Sequence, residues 1–170
     1  ERSVYAHCLH LDASDRDLMA ERGASAAVCP TSNLFLDSGF FDFTLAQSHR
    51  LQHGLASDVG GGTSFSPFHT MHAAYTVARQ SVGKSGHSLS ANHVWWLHTA
   101  GAANALGLDG LCGNLNIGCE ADFIVLNPNA TPLLARRTAA ANSLEEQLFA
   151  MVVLGDDRLV DKVVVDGRVV

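Results

Sequence analysis

Between residues 3 and 58 short apolar runs alternate with helix-forming stretches, and this alternation restricts the fold more than any other feature. Residues 3–9 read as a strand. Residues 12–22 follow as a helix, with Asp12 or Ser14 as the N-cap and Gly23 as the stop. Residues 26–29 form a second apolar strand closed by Pro30, and the polar turn Thr31-Ser32-Asn33 opens a loop. A helix over about residues 43–51 stops at Gly54, and residues 55–58 make a third strand. Strand, helix, strand, helix, strand at this spacing is the pattern of a parallel sheet with crossover helices, an α/β arrangement.

Beyond residue 64 the pattern changes. A helix is predicted over residues 67–79, then a loop over 83–87, then a single longer helix from the Ser90 cap to about residue 105. Residues 122–126 (DFIVL) are another apolar strand, followed by a Pro/Asn/Thr-rich loop over 127–132. Ser143-Leu144-Glu145-Glu146 is a capping box that opens a helix to about residue 154. Asp166-Gly167 between two valine-rich runs signals a terminal hairpin.

The 170 residues suffice for one domain with a sizeable core, and 47% hydrophobic with 16% charged residues is the composition of a globular protein. A net charge of −6 argues against a nucleic-acid surface. No basic amphipathic stretch faces a membrane, and no apolar run approaches the ~20 residues that span one. The start at Glu1 shows neither an initiator Met nor a signal-peptide pattern. Cys8, Cys29, Cys112 and Cys119 lack CxxC spacing, which disfavours a structural zinc site; a Cys112–Cys119 bridge is not forbidden. Cys8 and Cys29 read as buried thiols, a usage that fits the cytoplasm better than a secreted scaffold.

Chemistry concentrates at the ends of the three strands. The run LASDVGGGTS over residues 55–64 delivers Asp58 at a strand tip, before a glycine turn that lets something approach the backbone. A carboxylate there is costly unless it binds a metal or is otherwise paired; the other reading is a cap on the next turn through Thr63 or Ser64. His7 alternates onto the same face as Tyr5, at the end of the first strand, and is preferred to His10. Active sites of parallel α/β barrels are assembled from such C-terminal strand ends. Gly60-Gly61-Gly62 has neither GxGxxG spacing nor a P-loop Lys, no GxSxG elbow is present, and no PCxxC ligand pair follows Cys29. The pairs His49/His53 and His69/His72 read as surface residues on outer helices, and Trp95 and Trp96 as helix core.

The runs AHCLHL (6–11), CPTSNL (29–34) and SDVGGGTS (57–64) resemble the C-terminal part of the guanine deaminases, within the metal-dependent amidohydrolase superfamily. The likeness continues through EADFIVL (120–126) to LGDDR (154–158). It implies an α/β fold in which residues 1–115 are the C-terminal part of a (β/α)8 barrel, strands six to eight. Residues 116–127 and 159–170 would be strands of a small β-sandwich, and 128–158 a connecting loop and helix packed on the barrel. The resemblance further implies one divalent zinc ion, with Asp58 as metal ligand and proton acceptor and His7 beside the activated water. Both would touch the substrate, guanine, which is hydrolysed to xanthine and ammonia. It also implies a cytoplasmic homodimer with no nucleic-acid or membrane partner.

The superfamily's HxH pair, its strand-five His and its Glu have no counterpart here, and one carboxylate with one histidine is short of the three protein ligands of a catalytic zinc. The chain is therefore expected to be a fragment of a longer enzyme, inactive alone. Alternatives are an amidohydrolase acting on another aminated purine, pyrimidine or triazine, and a non-catalytic binding or oligomerisation module.

Overall fold

The computed structural model describes residues 3–80 and 89–170. The loop predicted over 83–87 lies outside the described residues. Three short strands, β1 (Val4–Ala6), β2 (Ser25–Val28) and β3 (Gln52–Leu55), form a parallel sheet in the order β1-β2-β3. The first crossover is α1 (Ala13–Glu21); the second carries α2 (Pro30–Phe35) and α3 (Phe43–Ser48). Asp12 caps α1 by accepting from the Asp15 amide, and the Asp15 carboxylate accepts from the Asp12 amide in return.

After β3 come α4 (Pro67–Gln80), α5 (Ala91–His98) and α6 (Ala100–Leu106). A second sheet is antiparallel in the order β4 (Phe123–Leu126), β5 (Val160–Val165), β6 (Arg168–Val169). Its hairpin turns through Asp166 (φ 51°) and Gly167 (φ 72°), the pair of left-handed residues that matches strand twist. Between β4 and β5 lie α7 (Pro132–Ala139) and α8 (Leu144–Leu154). One apolar core unites Val28, Phe43, Leu55, Phe68, Met71, Leu97, Leu134 and Leu159, so the first sheet and its helices share their interior with α7 and the approach to β5. The α/β class expected from the alternation holds.

Several boundaries differ from the sequence reading, each for a local reason. The first strand stops at Ala6, because His7 and Cys8 turn into the left-handed region at φ 65° and 54°. The third strand covers Gln52–Leu55 rather than 55–58. Its last ladder bond runs from the Ala56 amide to the Val28 carbonyl (2.9 Å), and beyond it β2 offers no partner because Pro30 starts a helix. The residues read as a loop, Thr31-Ser32-Asn33, form the body of α2 with Pro30 at its first position.

The predicted helix over 43–51 ends at Ser48, and His53 sits in β3 rather than on an outer helix. The helix predicted to 105 breaks at Thr99 (φ −126°, ψ −100°). There α6 folds back so closely that a Cβ on Gly101 would lie 2.7 Å from the Trp96 ring. Trp96 is nevertheless 44% exposed, not core. The Ser143 box closes differently too: the Glu146 carboxylate takes the Asn142 amide (2.7 Å) instead of that of Ser143. All four cysteines are free thiols, and Cys8 is only half-buried.

Close approach explains one glycine in the sheet. A Cβ on Gly54 would stand 2.7 Å from the Ala102 Cα, so only glycine lets the α6 backbone lie flat on β3.

Candidate functional site

Three chain segments leave the C-terminal ends of the parallel strands and meet there. His7 follows β1 directly, Cys29 and α2 follow β2, and Asp58 lies three residues beyond β3, in a loop rather than on the strand. His7 reaches the site through its left-handed backbone and not by the strand alternation with Tyr5; its amide still donates to the Ala27 carbonyl (2.9 Å). His10 is exposed. Asp58 also takes a left-handed conformation, φ 49°. The Thr31 hydroxyl donates to the Ser57 carbonyl (3.3 Å), tying the Asp58 loop to α2, and the Gly62 amide closes the turn onto the Asp58 carbonyl.

His7 Nε2 and Asp58 Oδ2 face each other at 3.8 Å, both side chains partly open to solvent. With Cys29 Sγ they form a cluster in which all three potential ligand atoms lie within 4.8 Å of one another. Among the described residues, neither Thr63 nor Ser64 donates to the Asp58 carboxylate, so the turn-capping reading of Asp58 does not hold. On its other side, His7 Nδ1 donates to Asn33 Oδ1 at 2.8 Å.

An imidazole nitrogen and a carboxylate oxygen converging at this separation suit a divalent cation. Two buried polar atoms next to them, Ser32 Oγ and Asn33 Nδ2, have no hydrogen-bond partner among the described residues, which marks a site shaped for more than packing. Cys29 is the weakest of the three donors. Burial pushes its thiol up, the nearby Asp58 charge adds to this, and Sγ already points to the Ala27 carbonyl at 3.4 Å.

The glycine turn has a specific part here. A Cβ on Gly61 would stand 3.0 Å from Asp58 Oδ2 and 3.0 Å from Ser32 Oγ, so this backbone lies directly against both side chains. Ser32, Asn33 and Gly61 escaped the sequence reading as individual site residues. The available signal was Pro30: a proline at the first helical position after a strand puts the next three residues on the first turn above the strand end.

Among the described residues, neither of the other histidine pairs belongs to this ligand cluster. His69 is exposed on α4, and His53 lines a cavity of about 240 Å³ at the opposite end of β3, with Gln47, Arg50, His93 and Trp96.

The sequence pattern that defines the amidohydrolase family matches residues 1–170. The chain belongs to the amidohydrolase family. Within it, this amidohydrolase chain is 44% identical over 167 residues to the guanine deaminase of Escherichia coli (strain K12), which covers 98% of the chain and 37% of that relative. It superposes on the solved structure of E. coli guanine deaminase with a TM-score of 0.93, over 98% of this chain and 38% of the other.

A guanine deaminase from C. acetobutylicum, solved with guanine in its active site, aligns with a TM-score of 0.84 at 25% identity, over 98% and 38% of the two chains. An adenosine deaminase from Xanthomonas campestris, solved with bound zinc, gives the same score and identity over 98% and 36%. The amidohydrolase chain thus spans about 38% of the length of the guanine deaminases it matches.

Proposed function

We propose that the complete protein containing this chain hydrolyses guanine to xanthine and ammonia, and that His7 and Asp58 belong to its active site. The observation that carries this reading is the facing pair, His7 Nε2 and Asp58 Oδ2 at 3.8 Å, above the C-terminal edge of a parallel sheet. The 44% identity to a guanine deaminase, and the guanine seen in the C. acetobutylicum relative, support the substrate.

In this reading Asp58 is the ligand this chain gives to a single divalent ion, zinc, and the remaining ligands come from elsewhere in the complete protein. The bound ion supplies a water whose pKa is low enough for hydroxide to be available near neutral pH. Asp58 accepts the proton that the water gives up, and His7 hydrogen-bonds the attacking oxygen. That oxygen would bond to the amino-bearing ring carbon of guanine as the adjacent ring C=N π bond opens onto its nitrogen, which takes the proton that Asp58 accepted. The bond from that carbon to the exocyclic amino nitrogen would then break, the amino group leaving as ammonia with the proton of the added hydroxyl, and the carbon keeping the oxygen as a carbonyl.

The parallel sheet is proposed as strands six to eight of a (β/α)8 barrel, and β4 to β6 as part of a small sandwich. A cytoplasmic homodimer is proposed as the assembled form. The exposed Trp96 and Leu106 support an interface, and among the described residues no helix is long and apolar enough to cross a membrane.

Asp58→Asn in the complete protein tests the reading, because it keeps the shape and removes the charge. Expected is loss of bound zinc and a fall in kcat of about 10²-fold or more, with thermal unfolding little changed. Undiminished zinc content and turnover would refute it. A second reading, an amidohydrolase acting on another aminated purine, draws on the equal TM-score of 0.84 to the adenosine deaminase. Turnover of adenosine in preference to guanine by the complete protein would establish it.

A further inference from the structure

We infer that Asn33 is a positioning residue for His7: its side-chain oxygen fixes the imidazole as the Nδ1–H tautomer, so that Nε2 meets the reacting groups as a hydrogen-bond acceptor. The inference deepens the proposed deaminase reading and rests on it for its catalytic meaning. The contact itself is on the far side of the ring from Asp58: Asn33 Oδ1 accepts from His7 Nδ1 at 2.8 Å.

Asn33 is 2% exposed, on the first turn of α2, and its Nδ2 is buried with no partner among the described residues. Burying an amide with its donors unpaired is costly, and an apolar residue of the same size would avoid the cost. The oxygen is the polar atom of this side chain that is engaged, and among the described residues the group it engages is His7.

The consequence for the reaction is one of orientation: with Nδ1–H held by Asn33, Nε2 faces the attacking water as the acceptor of one of its protons. The Asn33 carboxamide does no chemistry itself; it decides which ring nitrogen is available.

In the complete protein, Asn33→Leu is expected to lower kcat by about 10- to 100-fold, the usual effect of losing a partner that orients a functional histidine. KM for guanine stays nearly unchanged, because an orienting contact is lost and not a binding one. Asn33→Asp keeps an oxygen at the same place and is expected to recover most of the loss. Once His7→Ala is present, Asn33→Leu costs nothing further. A loss equally large in the His7→Ala background, or an Asn33→Asp protein as impaired as Asn33→Leu, overturns the inference.

Neutron diffraction from deuterated crystals of the unsubstituted complete protein, grown at mildly alkaline pH, reads the tautomer independently of turnover and of how the variants fold. A deuteron on Nδ1 with Nε2 bare is expected; a deuteron on Nε2 with Nδ1 bare overturns the inference. A parent protein that leaves guanine untouched refutes the deaminase reading alone, and the neutron map still decides the role of Asn33.

Discussion

Replacing Gly61 with alanine adds one methyl group at a point 3.0 Å from Asp58 Oδ2 and 3.0 Å from Ser32 Oγ. Ordinary contact for such atoms begins near 3.4 Å, so each of the two neighbours must give by about 0.4 Å. Ser32 is fully buried and can give only by turning its hydroxyl, whereas the Asp58 side chain is 38% exposed, so the carboxylate is the group with room to move further. Gly61 itself lies outside the left-handed region, and alanine there brings no backbone strain. The fold should therefore lose no more than about 1 kcal/mol.

Displacing the carboxylate, in contrast, should weaken divalent-metal binding by the 10-fold or so typical of a disturbed ligand setting. Gly60→Ala is the matched control. At φ 115° alanine is strained by about 1–3 kcal/mol, yet nothing lies within 4 Å of the added Cβ. Chelator-competition titration of zinc, run beside thermal unfolding on the same samples of the complete protein, separates the two. Gly61→Ala should lose metal affinity at nearly constant melting temperature, and Gly60→Ala the reverse. Parental zinc affinity in Gly61→Ala, or equal zinc loss in both, would refute the placement of Asp58 against this turn.

Gly54→Ala should destabilise by about 1–3 kcal/mol in denaturant unfolding, because the added Cβ meets the Ala102 backbone at 2.7 Å and a backbone cannot rotate away. His98 gives a pH dependence. Burial holds its imidazole below the ordinary range and its Nε2 is buried without a partner, so the unfolded chain takes up a proton that the folded one refuses. The resulting stability is present above the ordinary imidazole pKa and lost as pH falls below it, by at most about 1.4 kcal/mol per pH unit. His98→Gln should flatten that part of a melting-temperature-against-pH curve, and an unchanged slope would refute the assignment.

The parallel β-α-β-α-β order was legible because apolar runs and caps repeat at crossover spacing, and Asp12, Gly23, Ser143 and Asp166-Gly167 all sit at the ends they signal. Strand ends were less legible. Gln52 and His53 look too polar for a strand, yet they pair with Ser25 and Ala26, since hydrogen-bonding register with β2 outweighs side-chain character there. Pro30 read as punctuation where it starts a helix, and Pro132, taken as the end of a loop over 127–132, likewise starts α7, which the sequence reading did not assign. Within the site, His7 and Asp58 stood out by chemical type and strand-end placement. Asn33 and Ser32 did not, because their importance lies in which atoms they face, and that follows from α2 being a helix. Trp96 misled because its exposure depends on how α5 is packed, which the helix pattern alone does not state.

His7 and Asp58 both hold a left-handed backbone, φ 65° and 49°. An L-residue enters that region at a cost of about 1–2 kcal/mol, although His and Asp are among the types found there most often. Glycine at either place would relax the chain. The two turns that present these side chains therefore carry a backbone cost that glycine would relieve, a cost that Cys8, Asp37, Arg50 and Asp166 also carry elsewhere in the chain.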